Sequence, residues 1–149
     1  NGLAFGAGTL YWTDTPSHTI RANPWEPEAN RLGPPRAWRR FDAKQDGAPY
    51  GGRPDGATLD AQGRYWVAMY EGAQVLCLDG AGGGTLAALP VPVQCPTMPC
   101  FGGDDLRTLF VTSARKGRPA EELARQPDAG RVLMQRADEP GRPVDFFDD

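Results

Sequence analysis

A motif that recurs three times constrains this chain more than any other of its features. The first copy reads Asn1-Gly2-Leu3-Ala4-Phe5, a glycine turn, Thr9-Leu10-Tyr11-Trp12-Thr13, then Thr19-Ile20-Arg21-Ala22. The second reads Asp55-Gly56-Ala57-Thr58-Leu59, a turn at Ala61-Gln62-Gly63, Arg64-Tyr65-Trp66-Val67-Ala68, then Gln74-Val75-Leu76-Cys77-Leu78. The third reads Pro99-Cys100-Phe101-Gly102-Gly103, a turn at Asp104-Asp105, Thr108-Leu109-Phe110-Val111-Thr112, then Gly130-Arg131-Val132-Leu133-Met134. Tyr11 to Tyr65 is a step of 54 residues and Trp66 to Phe110 a step of 44. Unequal steps with one internal grammar mean loop insertions between equivalent units.

Each unit offers runs of four to six residues rich in aromatic and β-branched types, bounded by Gly, Asp or Pro, which is the pattern of strands. The 19 glycines and 15 prolines punctuate these runs instead of forming a low-complexity tract. Arg31-Leu32 with Ala37-Trp38-Arg39-Arg40-Phe41 supplies a fourth strand to the first unit, and Gly84 through Val91 one to the second. Residues 119–126, containing Ala120-Glu121-Glu122-Leu123-Ala124, are the one helical-looking stretch. The predicted class is all-β, with about three four-stranded blades of a β-propeller over residues 1–46, 47–95 and 96–149. Short strands at regular spacing also fit a β-sandwich.

The 16 basic and 19 acidic side chains are well mixed, so no stripe exists to hold a phosphate backbone, and nucleic acid and anionic membranes are not expected partners. No run approaches the roughly 18 apolar residues of a membrane span. Cys77, Cys95 and Cys100 are an odd number without paired spacing, which argues against a disulfide framework or a thiolate zinc site and favours a reducing cytoplasm. The chain opens on a patterned apolar segment without an initiator Met and reads as a piece of something longer.

Asn1-Gly2 and Asp55-Gly56 stand at equivalent positions, while the third copy has Pro99-Cys100 there. Equivalent positions of successive blades converge on a propeller's central channel, so Asn1 and Asp55 could meet there and offer the oxygen ligands that hard divalent cations want. Asn-Gly and Asp-Gly are also common turn dipeptides. Other chemistries lack parts. The one histidine, His18, lies in the turn-like Thr15-Pro16-Ser17-His18-Thr19 and reads as a loop residue, not the base of a Ser-His-Asp hydrolase. Gly80-Ala81-Gly82-Gly83-Gly84 has no following Lys-Ser/Thr and precedes a strand, so it is a hairpin tip and not a phosphate cradle. Cys100, without a basic partner nearby, reads as a buried structural thiol. The Tyr-Trp pairs at 11–12 and 65–66 suit core packing better than a stacking platform. Thr97 and Met98 would line the channel mouth.

Several words of the sequence resemble the gluconolactonase/regucalcin (senescence marker protein) family, in order and at family-like spacing. They are Asn1-Gly2-Leu3-Ala4-Phe5, Leu10-Tyr11-Trp12-Thr13-Asp14-Thr15, Arg53-Pro54-Asp55-Gly56-Ala57-Thr58-Leu59-Asp60-Ala61-Gln62-Gly63, and Tyr65-Trp66-Val67-Ala68-Met69-Tyr70. Pro99-Cys100-Phe101-Gly102-Gly103, Leu109-Phe110-Val111-Thr112-Ser113-Ala114-Arg115 and Gln126-Pro127-Asp128-Ala129-Gly130 continue the match. The resemblance implies the C-terminal half of a six-bladed propeller whose channel holds one divalent metal (Ca2+, Zn2+, Mg2+ or Mn2+) on a Glu, two Asn and an Asp. Asn1 and Asp55 match one Asn and the Asp; the Glu and the second Asn have no counterpart in this sequence. The implied activity is metal-dependent opening of a small sugar lactone to its aldonic acid, with Asp55 as metal ligand and general base and Asn1 as metal ligand. A non-enzymatic metal-binding propeller, an inactive truncated product, or a propeller hydrolase acting on esters or organophosphates are the other readings. An unclosed propeller would also have reason to self-associate.

Overall fold

Three antiparallel sheets follow one another along the chain in a computed structural model that describes residues 1–144. The first contains β1 (Ala4–Gly6), β2 (Thr9–Asp14) and β3 (Thr19–Glu26) in that order, with β4 (Arg31–Leu32) and β5 (Arg36–Arg40) both pairing with β3. The second runs β6 (Arg53–Leu59), β7 (Tyr65–Tyr70), β8 (Gln74–Leu78) and β9 (Thr85–Pro90). The third runs β10 (Pro96–Gly102), β11 (Thr108–Ser113) and β12 (Val132–Arg136). Outside the strands lie a 3-10 turn at Thr15–Ser17 and one short helix, α1 (Ala120–Arg125).

Each sheet is a blade: an up-and-down meander packed face to face on the next. In the middle blade Tyr65, Val67 and Met69 of β7 join Tyr11, Ile20, Ala22 and Trp38 of the first blade in one core. On the opposite face Trp66 and Val75 pack against Phe101, Leu109 and Val111 of the third. Side chains alternate across a strand, so burying both faces requires the nearly unbroken apolar run that β7 and β8 carry. A sandwich has two sheets around one core; a sheet with a core on each face is what a propeller demands. Tyr11 and Tyr65 anchor the first core, their ring centroids 5.4 Å apart with Trp38 beside both. Core packing is thus where the structure places the two tyrosines of the Tyr-Trp pairs.

Two blades depart from the expected four strands. The outer strand of the first is split, because Gly33-Pro34-Pro35 supplies no N–H donors at two successive residues and breaks the ladder between β4 and β5. The third has three strands among the described residues, and the chain beyond β12 is used differently. Ala61 N–H donates to Pro140 O at 3.0 Å, Gly141 N–H to Leu106 O at 2.8 Å and Arg142 N–H to Leu59 O at 3.2 Å, while the Arg142 guanidinium donates to Phe5 O. Residues 137–142 therefore form a strap touching all three blades.

Asp60 closes the β6–β7 turn from a fully buried position. Its carboxylate accepts from Gln62 N–H and Arg64 N–H, both at 3.0 Å, Arg64 Nε at 2.6 Å and Trp66 Nε1 at 2.8 Å. A buried charge is tolerable when its lone pairs are satisfied and a cation is in contact, and here both hold.

Candidate functional site

The innermost strands β1, β6 and β10 lie side by side, one from each blade. Where they begin, Asn1, Gly2, Leu3, Asp55, Gly56, Thr97 and Met98 line a cavity of about 510 Å³. The Asn1 carboxamide Nδ2 donates to Asp55 Oδ1 at 2.5 Å across 54 residues of sequence. Asn1 is exposed and Asp55 half-buried.

The glycine after each of these residues has a steric reason. Gly2 adopts φ +61°, and a Cβ there would stand 2.6 Å from Tyr65 Oη, 2.7 Å from Thr13 Cγ2 and 2.8 Å from Asp55 O. At Gly56 a Cβ would stand 2.5 Å from Thr97 O and 2.8 Å from Met98 Cα. Each glycine lets the inner strand of the next blade come into backbone contact, which draws successive channel-lining residues together. The dipeptides are points of close approach between blades, and Gly2 also makes a left-handed bend.

In the third blade the equivalent position is not Pro99-Cys100. Ala57 pairs with Val67 and Pro99 with Val111, so Pro99 stands where Ala57 does, and Thr97-Met98 lies where Asp55-Gly56 does. The slip arises because the β10–β11 hairpin pairs Pro99 through Gly102 where β6–β7 pairs only Ala57 through Leu59, one pair fewer; both inner strands bulge just before that, between Pro54 and Ala57 and between Pro96 and Met98. Thr97 and Met98 do line the cavity, and Thr97 Oγ1 lies 2.8 Å from Thr112 Oγ1. Cys100 is exposed, contrary to the expectation of a buried thiol, because the alternation that turns Phe101 into the core turns Cys100 the other way. It lines a larger, mainly apolar groove of about 720 Å³ that shares Leu3 and Met98 with the first cavity and continues past Phe5, Trp25 and Leu59. His18 ends the 3-10 turn at φ 53° with its Nε2 2.8 Å from the Tyr50 hydroxyl. The glycine-rich segment is the β8–β9 hairpin tip, closed by Asp79 N–H to Gly84 O at 2.8 Å.

Two buried side chains that sequence reasoning passed over fasten the site from below. The Tyr65 hydroxyl donates to Gly2 O at 2.5 Å, and the Thr13 hydroxyl donates to Asp55 O at 2.7 Å. The apolar pattern around Tyr11 and Tyr65 conceals this, since it explains both rings without reference to a hydroxyl. Burial raises the Asp55 carboxyl above the ordinary carboxylate range, against the opposing pull of nearby positive charge, Arg53 included, and of the Asn1 hydrogen bond.

A carboxylate and a carboxamide in contact at a channel mouth form an oxygen donor set of the kind hard divalent cations select, once the Asn1 amide turns its oxygen inward. Two side chains are part of a coordination shell, and among the described residues there is no group of three or more His, Cys, Asp or Glu side chains able to hold a metal ion. No helix among them is long and apolar enough to cross a membrane.

Residues 1–115 match the SMP-30/Gluconolactonase/LRE-like region. The chain is 42% identical over 149 residues to the 6-deoxy-6-sulfogluconolactonase of Pseudomonas putida, covering 99% of this chain and 49% of that protein. It is 33% identical over 135 residues to the regucalcin of Gallus gallus, covering 89% of this chain and 43% of the relative. The crystal structure of a calcium-binding protein, regucalcin from Agrobacterium tumefaciens, superposes with a TM-score of 0.82 at 26% identity, over 95% of this chain and 47% of that one. The chain thus spans about half the length of the relatives it matches.

Proposed function

Because the chain belongs to the SMP-30/gluconolactonase/LRE-like family, we propose that it is part of an enzyme that hydrolyses a sugar lactone to its aldonic acid, with Asn1 and Asp55 as two ligands of one divalent cation. The observation that carries the reading is the 2.5 Å contact between the Asn1 and Asp55 side chains at the mouth of the inter-blade cavity. That a relative 42% identical is a sulfogluconolactonase supports the lactone as substrate class.

Asn1 and Asp55 would hold the divalent cation, which would supply Lewis acidity to the lactone carbonyl and to the attacking water. Asp55 takes the water's proton on Oδ2 as the new C–O bond forms, and returns it to the ring oxygen as the ring C–O bond breaks. Burial raises its pKa, the direction that makes a carboxylate a better proton acceptor. With the cation bound, Asn1 and Asp55 Oδ1 would hold it and Asp55 Oδ2 would be left to exchange the proton. Leu3 and Met98 present apolar surface beside the pair and limit water there. Three unpaired cysteines support a reducing compartment, the cytoplasm.

The test is pH-stat titration of acid release from glucono-δ-lactone by a chain of the relatives' full length, with and without added Ca2+, Zn2+, Mg2+ or Mn2+. Metal-dependent turnover supports the lactonase. A metal-loaded protein inert toward a panel of sugar lactones would transfer the assignment to a non-enzymatic metal-binding protein, a reading favoured by the calcium-binding regucalcin structure that this chain superposes on.

A further inference from the structure

We infer that Thr13 is a positioning residue that fixes Asn1 and Asp55 relative to one another, so that a divalent cation meets both side chains already in place; this rests on the metal-site reading above. Thr13 is only 3% exposed and bonds the backbones of both residues. Its N–H donates to Asn1 O at 2.7 Å, its carbonyl accepts from the Asn1 nitrogen at 3.2 Å, and its hydroxyl donates to Asp55 O at 2.7 Å.

The first two bonds extend the β1–β2 pairing past the left-handed bend at Gly2, beyond its last paired residues, Ala4 and Tyr11. The third crosses from one blade to the next. No backbone ladder joins the first sheet to the second, so a side chain has to tie Asp55's carbonyl to the blade that carries Asn1. A buried hydroxyl is unfavourable unless it is bonded, and that of Thr13 finds its partner in Asp55 across the interface.

Preformed ligands bind more tightly because ordering them no longer opposes binding. Thr13→Ser and Thr13→Ala both lose the methyl and differ only in the hydroxyl, so their comparison isolates the bond to Asp55. Titration calorimetry with Ca2+ alone on the full-length protein, with a melting curve for each variant, is the experiment. Thr13→Ser is expected to bind within about twofold of the unaltered protein and Thr13→Ala about tenfold more weakly, the scale of one hydrogen bond. Thr19→Ala removes another buried hydroxyl, one that donates to Ser17 O at 2.9 Å away from the site, and should lower the melting temperature without changing affinity. Wild-type affinity in Thr13→Ala, with binding lost in Asn1→Ala or Asp55→Ala, would overturn the inference and leave the metal site standing. Unchanged binding in both Asn1→Ala and Asp55→Ala would remove the metal site itself, and the role of Thr13 with it.

Discussion

The Tyr65 hydroxyl, at the centre of the core between the first two blades, donates to Gly2 O at 2.5 Å and so holds the segment that presents Asn1. Burial pushes this phenol far above its ordinary pKa, which keeps it a donor at every pH the fold survives. Tyr65→Phe keeps the ring and leaves a buried carbonyl without its partner. It should cost about 1–3 kcal/mol in denaturant unfolding.

Gly56→Ala places a Cβ 2.5 Å from Thr97 O, a backbone atom that cannot rotate away. Overpacking of this kind costs about 1–3 kcal/mol. Gly84→Ala, where a Cβ would meet nothing within 4 Å, is the control and should leave the melting temperature essentially unchanged.

Thiol chemistry should separate the cysteines. Cys77 is buried with its thiol pushed up to about 11, and Cys95 is buried and also raised, both chiefly by desolvation. Cys100 is exposed. Ellman's reagent should therefore label one thiol of the native 149-residue chain quickly and all three after denaturation, and Cys100→Ser should abolish the fast phase.

Acid stability should follow an ion-pair cluster. Burial alone would raise the Glu71 carboxyl, but hydrogen bonds from Arg118 at 2.8 Å and Lys44 at 3.3 Å outweigh it and hold the pKa below the ordinary value. The Arg118 hydrogen bonds lower Glu122 likewise, and those of Arg136 hold Asp105 at about 2. A depressed folded-state pKa stabilises above the unfolded value, about 4.3 for Glu, and that contribution fades as pH falls through the folded value. Stability should be level above roughly pH 5 and decline from there toward pH 2. Arg118→Met should lower stability at pH 7 and make the acid decline shallower.

Much of the fold was legible because a strand buried on one or both faces imprints its period on the sequence. The apolar run at Gln74–Leu78 gives its strand at the observed bounds, and Arg31-Leu32 with Ala37 through Phe41 gives the first blade's outer strand but not its split into β4 and β5. What escaped leaves no mark on that period. The extra residue pair in the β10–β11 hairpin moved the third blade's correspondence from Pro99-Cys100 to Thr97-Met98, and Cys100 proved exposed. The turn at Ala61-Gln62-Gly63 was readable, but the ties of the neighbouring Asp60 carboxylate to Arg64 and Trp66 were not. At the candidate site, the repeat brought Asn1 and Asp55 to one place, whereas the hydroxyls of Thr13 and Tyr65 act on backbone carbonyls of distant residues, which no local pattern reports.

The measurement that tests the central claim most directly is pH-stat hydrolysis of glucono-δ-lactone at saturating divalent metal, comparing Asp55→Ala with the unaltered full-length protein. With Asp55 as ligand and proton acceptor, the rate should fall by a factor of roughly 10² to 10⁴ while the melting temperature without added metal is preserved. An Asp55→Ala protein that hydrolysed the lactone at the unaltered rate would contradict the account, because the pair formed by Asn1 and Asp55 would then have no part in the chemistry.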